Sequence, residues 1–412
     1  INLRLFFISK LNEIEPMKKI SSLLIISAIL FLLFNSYSCN KNAVDPSSYT
    51  AVKQKFGTRI DLANLANYAN QSKPGYIIKD NSAGNTITNA KATLGRVLFY
   101  DKQLSINNTV SCGSCHIQKF AFGDTALASL GVENGRTGRH SMRLINARFS
   151  DEVKFFWDER AATLEQQTTK PIQDHAEMGF SGQNGRPVLS TLLSKIQGID
   201  YYNDLFNFVY GNTTVTEARL QECLSQFVRS IQSFDSRYDI GRAQVPQEQA
   251  PFPNYSQQEN MGKNLFLLPP QFDAQGVRTA GGLGCAGCHA PPEFAIDPNG
   301  GNNGIIGVLN GTGIDINNTK APSLRDLVGP TGNPNTPMMH TGALKTLQAV
   351  IGHYGQIVQA PGNTRLDQRL RPNGFGQNLN LNQQEVDAVI AYIKTLTGTA
   401  VYTDAKWSDP FQ

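Results

Sequence analysis

The pentapeptide Cys112-Gly-Ser-Cys115-His116 recurs as Cys285-Ala-Gly-Cys288-His289, and no other feature constrains this chain as much. Cys-x-x-Cys-His is the attachment signal for c-type haem. Two thiols a few ångströms apart can each add to one vinyl group of a haem. The next residue, His116 or His289, can then turn its ring onto the iron as proximal ligand. A single zinc site built from both cysteine pairs would place them roughly 15–20 residues apart, far less than separates Cys115 from Cys285. Short disulfides or a thioredoxin-type pair would not need a histidine at the following position in both copies.

The 412 residues suit two domains, each able to bury its own core. At 40% hydrophobic and 17% charged, the composition is that of a globular protein. Met17-Lys18-Lys19 and the apolar run from Ile20 to Phe34 read as a secretory signal, with translation expected to start at Met17 and residues 1–16 lying upstream of it. Ser36-Tyr37-Ser38-Cys39 looks like a bacterial lipoprotein cleavage site, although Ser36 stands where Leu is usual. Removing residues 1–38 takes away Arg4, Lys10, Lys18, Lys19, Glu13 and Glu15 and leaves 33 basic and 31 acidic side chains. A near-neutral mature chain gives no support for nucleic-acid binding. The expected product is exported and periplasmic, touching a membrane only through a lipid anchor at Cys39.

Residues 40–55 are polar and read as a tether, and Thr58 to Gln71 reads as a short amphipathic helix. Leu94 to Tyr100 leads towards the first pentapeptide and Gly262 to Phe266 towards the second, which suggests a duplicated unit. A helical stripe runs through Leu220, Leu224, Phe227, Ile231 and Phe234 after a cap at Thr216, with Cys223 beside it as a core thiol. Asn382 and Glu385 predict a capping box for a last helix with Val386, Val389, Ile390, Ile393 and Leu396 on its apolar face, closed by Gly398. Residues 269–282 and 297–318 read as long loops, and the proline-rich stretch Ala243–Ser256 as the connection between domains. The expected architecture is mainly α, with two cytochrome c-like domains that each hold one covalent haem and are joined by long loops. Residues 56–245 form the first and 246–412 the second.

A haem iron reacts, rather than only passing electrons, where its sixth position is open and an acid or base stands beside it. His140, His175, His340 and His353, taken singly, read as surface or hydrogen-bonded histidines. Between the pentapeptides lie Phe156-Trp157-Asp158-Glu159-Arg160-Ala161, Leu164 to Gln167, Pro171 and Glu177-Met178; after the second come Ala321-Pro322-Ser323-Leu324-Arg325 and His340-Thr341-Gly342. In this combination the chain resembles the bacterial di-haem cytochrome c peroxidase family, which includes the MauG-type enzymes, over residues 85–400.

The resemblance implies roles for matching residues. Glu177 matches the distal glutamate that moves a proton between the two peroxide oxygens. Trp157 matches the tryptophan between the haems, and Gln167 and Pro171 shape the peroxide pocket. Hydrogen peroxide would be reduced to water in the first domain, with electrons from a small redox protein such as cytochrome c or a cupredoxin entering through the second. A homodimer is compatible with this expectation. The alternatives are MauG-like oxidation of a protein or other substrate through high-valent iron, and a non-catalytic electron-transfer cytochrome.

Two departures from the family pattern matter. No histidine falls near Val132, where the family's resting first haem finds a second axial ligand. An open first haem is therefore expected without prior reduction, with His140 as a substitute ligand if its loop moved. His140 also replaces an asparagine that helps hold an interdomain calcium, which puts calcium in doubt, although Pro337 matches a second calcium position. The family's methionine ligand to the second haem is replaced by Tyr354, as in MauG-type enzymes, with neighbouring His353 as competitor. The expected iron ligands are His116, His289 and Tyr354.

Overall fold

Leu94-Gly95 and Met261-Gly262 mark the same construction in the two halves of the chain. A computed structural model describes residues 48–150, 154–295 and 300–412; the signal segment, the start of the tether and Cys39 lie outside them. The chain is mainly helical: α1 (Thr50–Phe56), α2 (Asn89–Tyr100), α3 (Cys112–Cys115), α4 (Leu164–Gln173), α5 (Leu189–Gln197), α6 (Asp200–Tyr210), α7 (Glu217–Ser230), α8 (Arg237–Arg242) and α9 (Gln257–Leu267) are followed by a hairpin, α10 (Leu347–Gly355) and α11 (Gln383–Lys394). The hairpin pairs β1 (Pro270–Phe272) with β2 (Arg278–Gly281) antiparallel, Gln271 opposite Ala280. It is the one sheet among the described residues. None of the described helices is long and apolar enough to cross a membrane.

In the first half α2 crosses α7, and in the second α9 crosses α11. Both crossings are made close by glycine. A Cβ on Gly95 would sit 2.0 Å from the Cys223 carbonyl oxygen of α7, and one on Gly262 would sit 1.9 Å from the Ala388 carbonyl oxygen of α11. Phe99 and Phe266 follow each glycine by four residues and are almost wholly buried, one in each of two hydrophobic cores. The lead-in sequences are thus the same helix used twice. Substituting Ala for Gly95 or Gly262 pushes main chain against main chain, and each variant is expected to lose about 1–3 kcal/mol of stability, read as a lowered denaturation midpoint.

The first core gathers α1, α2, α6 and α7, and Val401, Tyr402 and Trp407 from the end of the chain return to it. The second runs from Tyr238 to Leu396. The capping signals at Thr216 and Asn382 form as expected, the latter as a full capping box with Glu385. Their helices stop early, at Ser230 and Lys394, so Ile231, Leu396 and Gly398 lie just beyond them; Ile231 and Leu396 remain buried.

Three local expectations are corrected. The tether does not reach residue 55: Thr50–Phe56 is helical and buries Val52 and Phe56, because Asp204 of α6 accepts the Ala51 and Val52 N–H groups at 2.9 and 3.2 Å. Thr58–Gln71 is not an amphipathic helix beyond the single turn at its start. There Asp61 accepts from Ala63 N–H and Asn89 from Tyr68 and Ala69 N–H, and these local side-chain bonds displace the helical ones. The stretch 269–282 is the hairpin rather than a loop, held by Arg278, whose guanidinium binds Glu385 and the Leu379 carbonyl.

Two candidate haem sites

Each pentapeptide opens onto its own cavity. Cys112, Cys115 and His116 line one of about 790 Å³, and Cys285, Cys288 and His289 one of about 650 Å³. Because the cysteine pairs face different cavities, they do not form one four-thiol site. The two motifs fold alike. The His116 N–H bonds the Cys112 carbonyl at 2.9 Å, and the His289 N–H bonds the Cys285 carbonyl at 2.8 Å, so each histidine closes the turn that carries its pair of thiols. His116 Nδ1 then donates to the Phe122 carbonyl and His289 Nδ1 to that of Phe294, both at 3.0 Å. A carbonyl can only accept, so Nδ1 carries the proton and Nε2 keeps its lone pair, the tautomer a metal-bound imidazole needs. Burial lowers the pKa of both rings, that of His289 to about 4, which keeps them neutral. The paired thiols, the oriented imidazoles and the cavities beside them fit one covalent haem each.

The first cavity receives four positions of one face of α4, Leu164, Gln167, Thr168 and Pro171. Glu177 follows in the turn that ends this helix. Asp174 accepts the Ala176 and Glu177 N–H groups at 2.8 and 3.1 Å, and the Glu177 carbonyl takes the Val132 N–H at 3.0 Å, so the turn is tied from both sides. Gly179 closes it at φ +91°, where a Cβ would strike Ile106. Burial pushes the Glu177 carboxyl up to about 7, with the neighbouring charge of Asp174 adding to it and Arg160 opposing. Val132, at the place where a second axial histidine was sought, is wholly buried in the first core.

Trp157 lines both cavities. Its indole N–H donates to the His140 carbonyl at 2.7 Å, its own carbonyl accepts from Lys320 N–H at 3.1 Å, and its ring lies 6.3 Å from that of His340. Arg139 bonds Asp158 on one side and Asp315 on the other, at 2.9 and 2.7 Å, which fixes the segment carrying the tryptophan. His140 also lines both cavities. Its Nδ1 bonds the Ala126 and Leu127 carbonyls, and its Nε2 has no hydrogen-bond partner among the described residues. Contrary to the surface alternative, His140 and His340 are both buried.

In the second cavity Tyr354 faces in, whereas His353, one residue earlier on α10, is turned to the Asn303 carbonyl at 2.8 Å and is not part of the lining. The Asn303 amide reaches the Tyr354 hydroxyl at 3.2 Å and the Met339 sulfur at 3.1 Å. Met339, which also lines this cavity, and Glu293, which reaches the first cavity, are additions to the expected set. A methionine pair just before His340 was a visible signal for the former; nothing local marked the latter. Among the described residues no group of three or more His, Cys, Asp or Glu side chains is arranged to hold a metal ion on its own.

A mainly helical chain with two thiol-and-imidazole cavities sharing a tryptophan is the form of a di-haem protein. Residues 89–245 match the family model for di-haem cytochrome c peroxidase. The chain is 28% identical over 329 residues to the methylamine utilization protein MauG of Methylophilus methylotrophus, covering 78% of this chain and 86% of that protein. It is 26% identical over 318 residues to the cytochrome c551 peroxidase of Nitrosomonas europaea, covering 74% and 80%. A solved MauG-like protein associated with microbial copper homeostasis superposes with a TM-score of 0.61 at 25% identity, over 83% of this chain and 99% of that one. The diheme peroxidase BthA of Burkholderia thailandensis E264 shares the fold, with a TM-score of 0.52 at 18% identity over 82% and 90%. Residues 89–245 thus carry the di-haem cytochrome c peroxidase match, and the chain as a whole is similar to proteins named MauG and cytochrome c peroxidase.

Proposed function

We propose that this chain reduces hydrogen peroxide to water in the first cavity, with electrons that a small redox protein delivers to the second. Residues 56–245 would supply the peroxide site and 246–412 the electron entry. The observation that carries this is Glu177, a carboxyl pushed up to about 7 in the same cavity as His116. Bound haem supplies an iron that exchanges single electrons and, where its sixth position is open, takes up peroxide. A carboxylate poised near neutrality takes the proton from one peroxide oxygen and returns it to the departing one. Gln167 and Pro171 on the adjoining helix bound the space in which this happens, and Trp157, lining both cavities, is the aromatic path between them. The signal segment and Cys39 would send the protein to the periplasm on a lipid anchor.

The test is to mix haem-loaded protein with peroxide, with and without reduced cytochrome c. Rapid oxidation of the cytochrome supports peroxidase activity, and an unreactive protein supports simple electron transfer.

Tyr354 favours a second reading, MauG-like oxidation of another substrate. It faces the second cavity while His353 does not, and one of the aligned relatives is named MauG. An anionic oxygen donor favours oxidised iron. Tyr354→Phe should therefore raise the midpoint potential of the second haem and change its absorption, whereas replacing His353 should do neither. An oxidised state that persists after cytochrome is added would favour the MauG-like reaction.

A further inference from the structure

Glu293 is a further carboxyl of the first cavity, and it comes from the other half of the chain. It stands four residues after His289, and its neighbour Phe294 provides the carbonyl that orients the His289 ring. Only 5% of its surface is exposed, yet neither carboxyl oxygen has a hydrogen-bond partner among the described residues. The adjacent Asn146 amide gives its hydrogen bond to the Ser233 carbonyl at 3.1 Å, and from beside Glu293 it favours the charged carboxylate.

The buried guanidinium that lies against Glu293 is already committed. Arg325, with no exposed surface, binds both oxygens of Asp239 at 3.0 and 3.1 Å and the Pro292 carbonyl at 3.1 and 2.9 Å. Its Nε is 3.7 Å from Glu293. Tyr76 donates to Asp239 from the other side, Tyr238 lies under the guanidinium, and Lys79 acts from further out. Arg143 and Lys320 share the cavity wall. Arg325 thus faces two carboxylates, Asp239 and Glu293, and these three side chains are neutral together when Glu293 holds a proton. Burial, reinforced by Asp239 and opposed by Arg325, Asn146 and Lys79, pushes this acid up to about 7.

We propose that Glu293 carries a proton into the first cavity together with an electron arriving from the second site. The inference rests on the peroxide-reducing reading above. That reaction is H2O2 + 2 e− + 2 H+ → 2 H2O: the O–O bond breaks, both oxygens are reduced, and two protons must be brought in. Glu177 only moves a proton that peroxide already has. An electron added nearby strengthens proton binding by a buried acid, so Glu293 takes a proton from solvent as each electron arrives and releases it as water forms, two protons for the two electrons.

The proton role is read without peroxide, by electrode titration of the haem-loaded full chain between about pH 6 and 9, bracketing the ionisation. A Glu177→Gln background removes the other neutral-range carboxyl. In that background the haem potential should fall with rising pH, by up to about 59 mV per unit for one proton per electron. In Glu177→Gln/Glu293→Gln it should be level. Glu293→Asp, which keeps an acid one methylene shorter, should retain the slope with a displaced midpoint. An unchanged slope in the Gln variant, or an unchanged midpoint in the Asp variant, overturns the proposal while leaving peroxide reduction standing. Failure of the peroxide assay would leave the electrode result readable.

Discussion

On the proposed peroxide-reducing reaction, Glu177→Gln should lower kcat/KM for peroxide by about 10²- to 10⁴-fold, the usual range for losing a positioned acid–base group, while haem content and fold are retained. The amide matches the carboxylate in shape and can still fill the turn that Asp174 and Gly179 define, but it cannot take up a proton. The pH profile should separate chemistry from packing. With the carboxyl pushed up to about 7, the base form is the minority below neutrality, so wild-type kcat/KM should rise with pH through about 7 and then level. The variant should show no such limb.

Stability should move the other way. A carboxyl whose native pKa lies above its unfolded value stabilises the fold only while protonated. Its contribution is complete below about 4.5, the unfolded value, and is lost as pH climbs through about 7. Glu177→Gln escapes that loss, so its denaturation midpoint should decline less than the wild type's between acid and neutral pH. Lost activity joined to undiminished stability marks a group kept for its chemistry. A parallel loss of both would return Glu177 to a structural part.

The paired pentapeptides and the helix starts were legible because their causes are local. A capping box needs two residues three apart, and Asn382 with Glu385 makes one; a duplicated lead-in needs only Gly95 and Gly262 at matching positions. The tether was misjudged for the opposite reason. The group that caps α1 is Asp204, more than 150 residues away, and no window along the chain contains both. The same distance hid Val401, Tyr402 and Trp407, which follow the second core in sequence but bury in the first. The grouping of cavity residues was legible where one segment supplies it, as from Leu164 to Glu177. Glu293, reaching the first cavity from beside the second pentapeptide, could be seen only after folding. The choice between Tyr354 and His353 is a rotation of about 100° on α10, and the residue at the motif position, Tyr354, is the one that lines the cavity.

Arg325→Met is expected to cost about 3–5 kcal/mol, the penalty for taking one partner from a buried ion pair. Motif matching singled out Ala321–Arg325 without a reason for its arginine; the reason is burial. The guanidinium is enclosed by Asp239, the Pro292 carbonyl and the rings of Phe234, Tyr238 and Phe294, with centroids 5.1, 5.3 and 5.8 Å away. It thereby ties α8 to the loop behind the second pentapeptide. Methionine fills much of the space but leaves Asp239 charged and uncompensated. Arg325→Lys keeps the charge and loses the planar fork that serves a carboxylate and a carbonyl together, so it should fall between methionine and wild type. If the uncompensated charge causes the loss, Asp239→Asn combined with Arg325→Met should recover part of it, because the two sites are in contact and their effects do not add. Urea midpoints of the haem-loaded proteins at constant slope give the measurement. A double variant as unstable as the sum of its parents would assign Arg325 to packing alone.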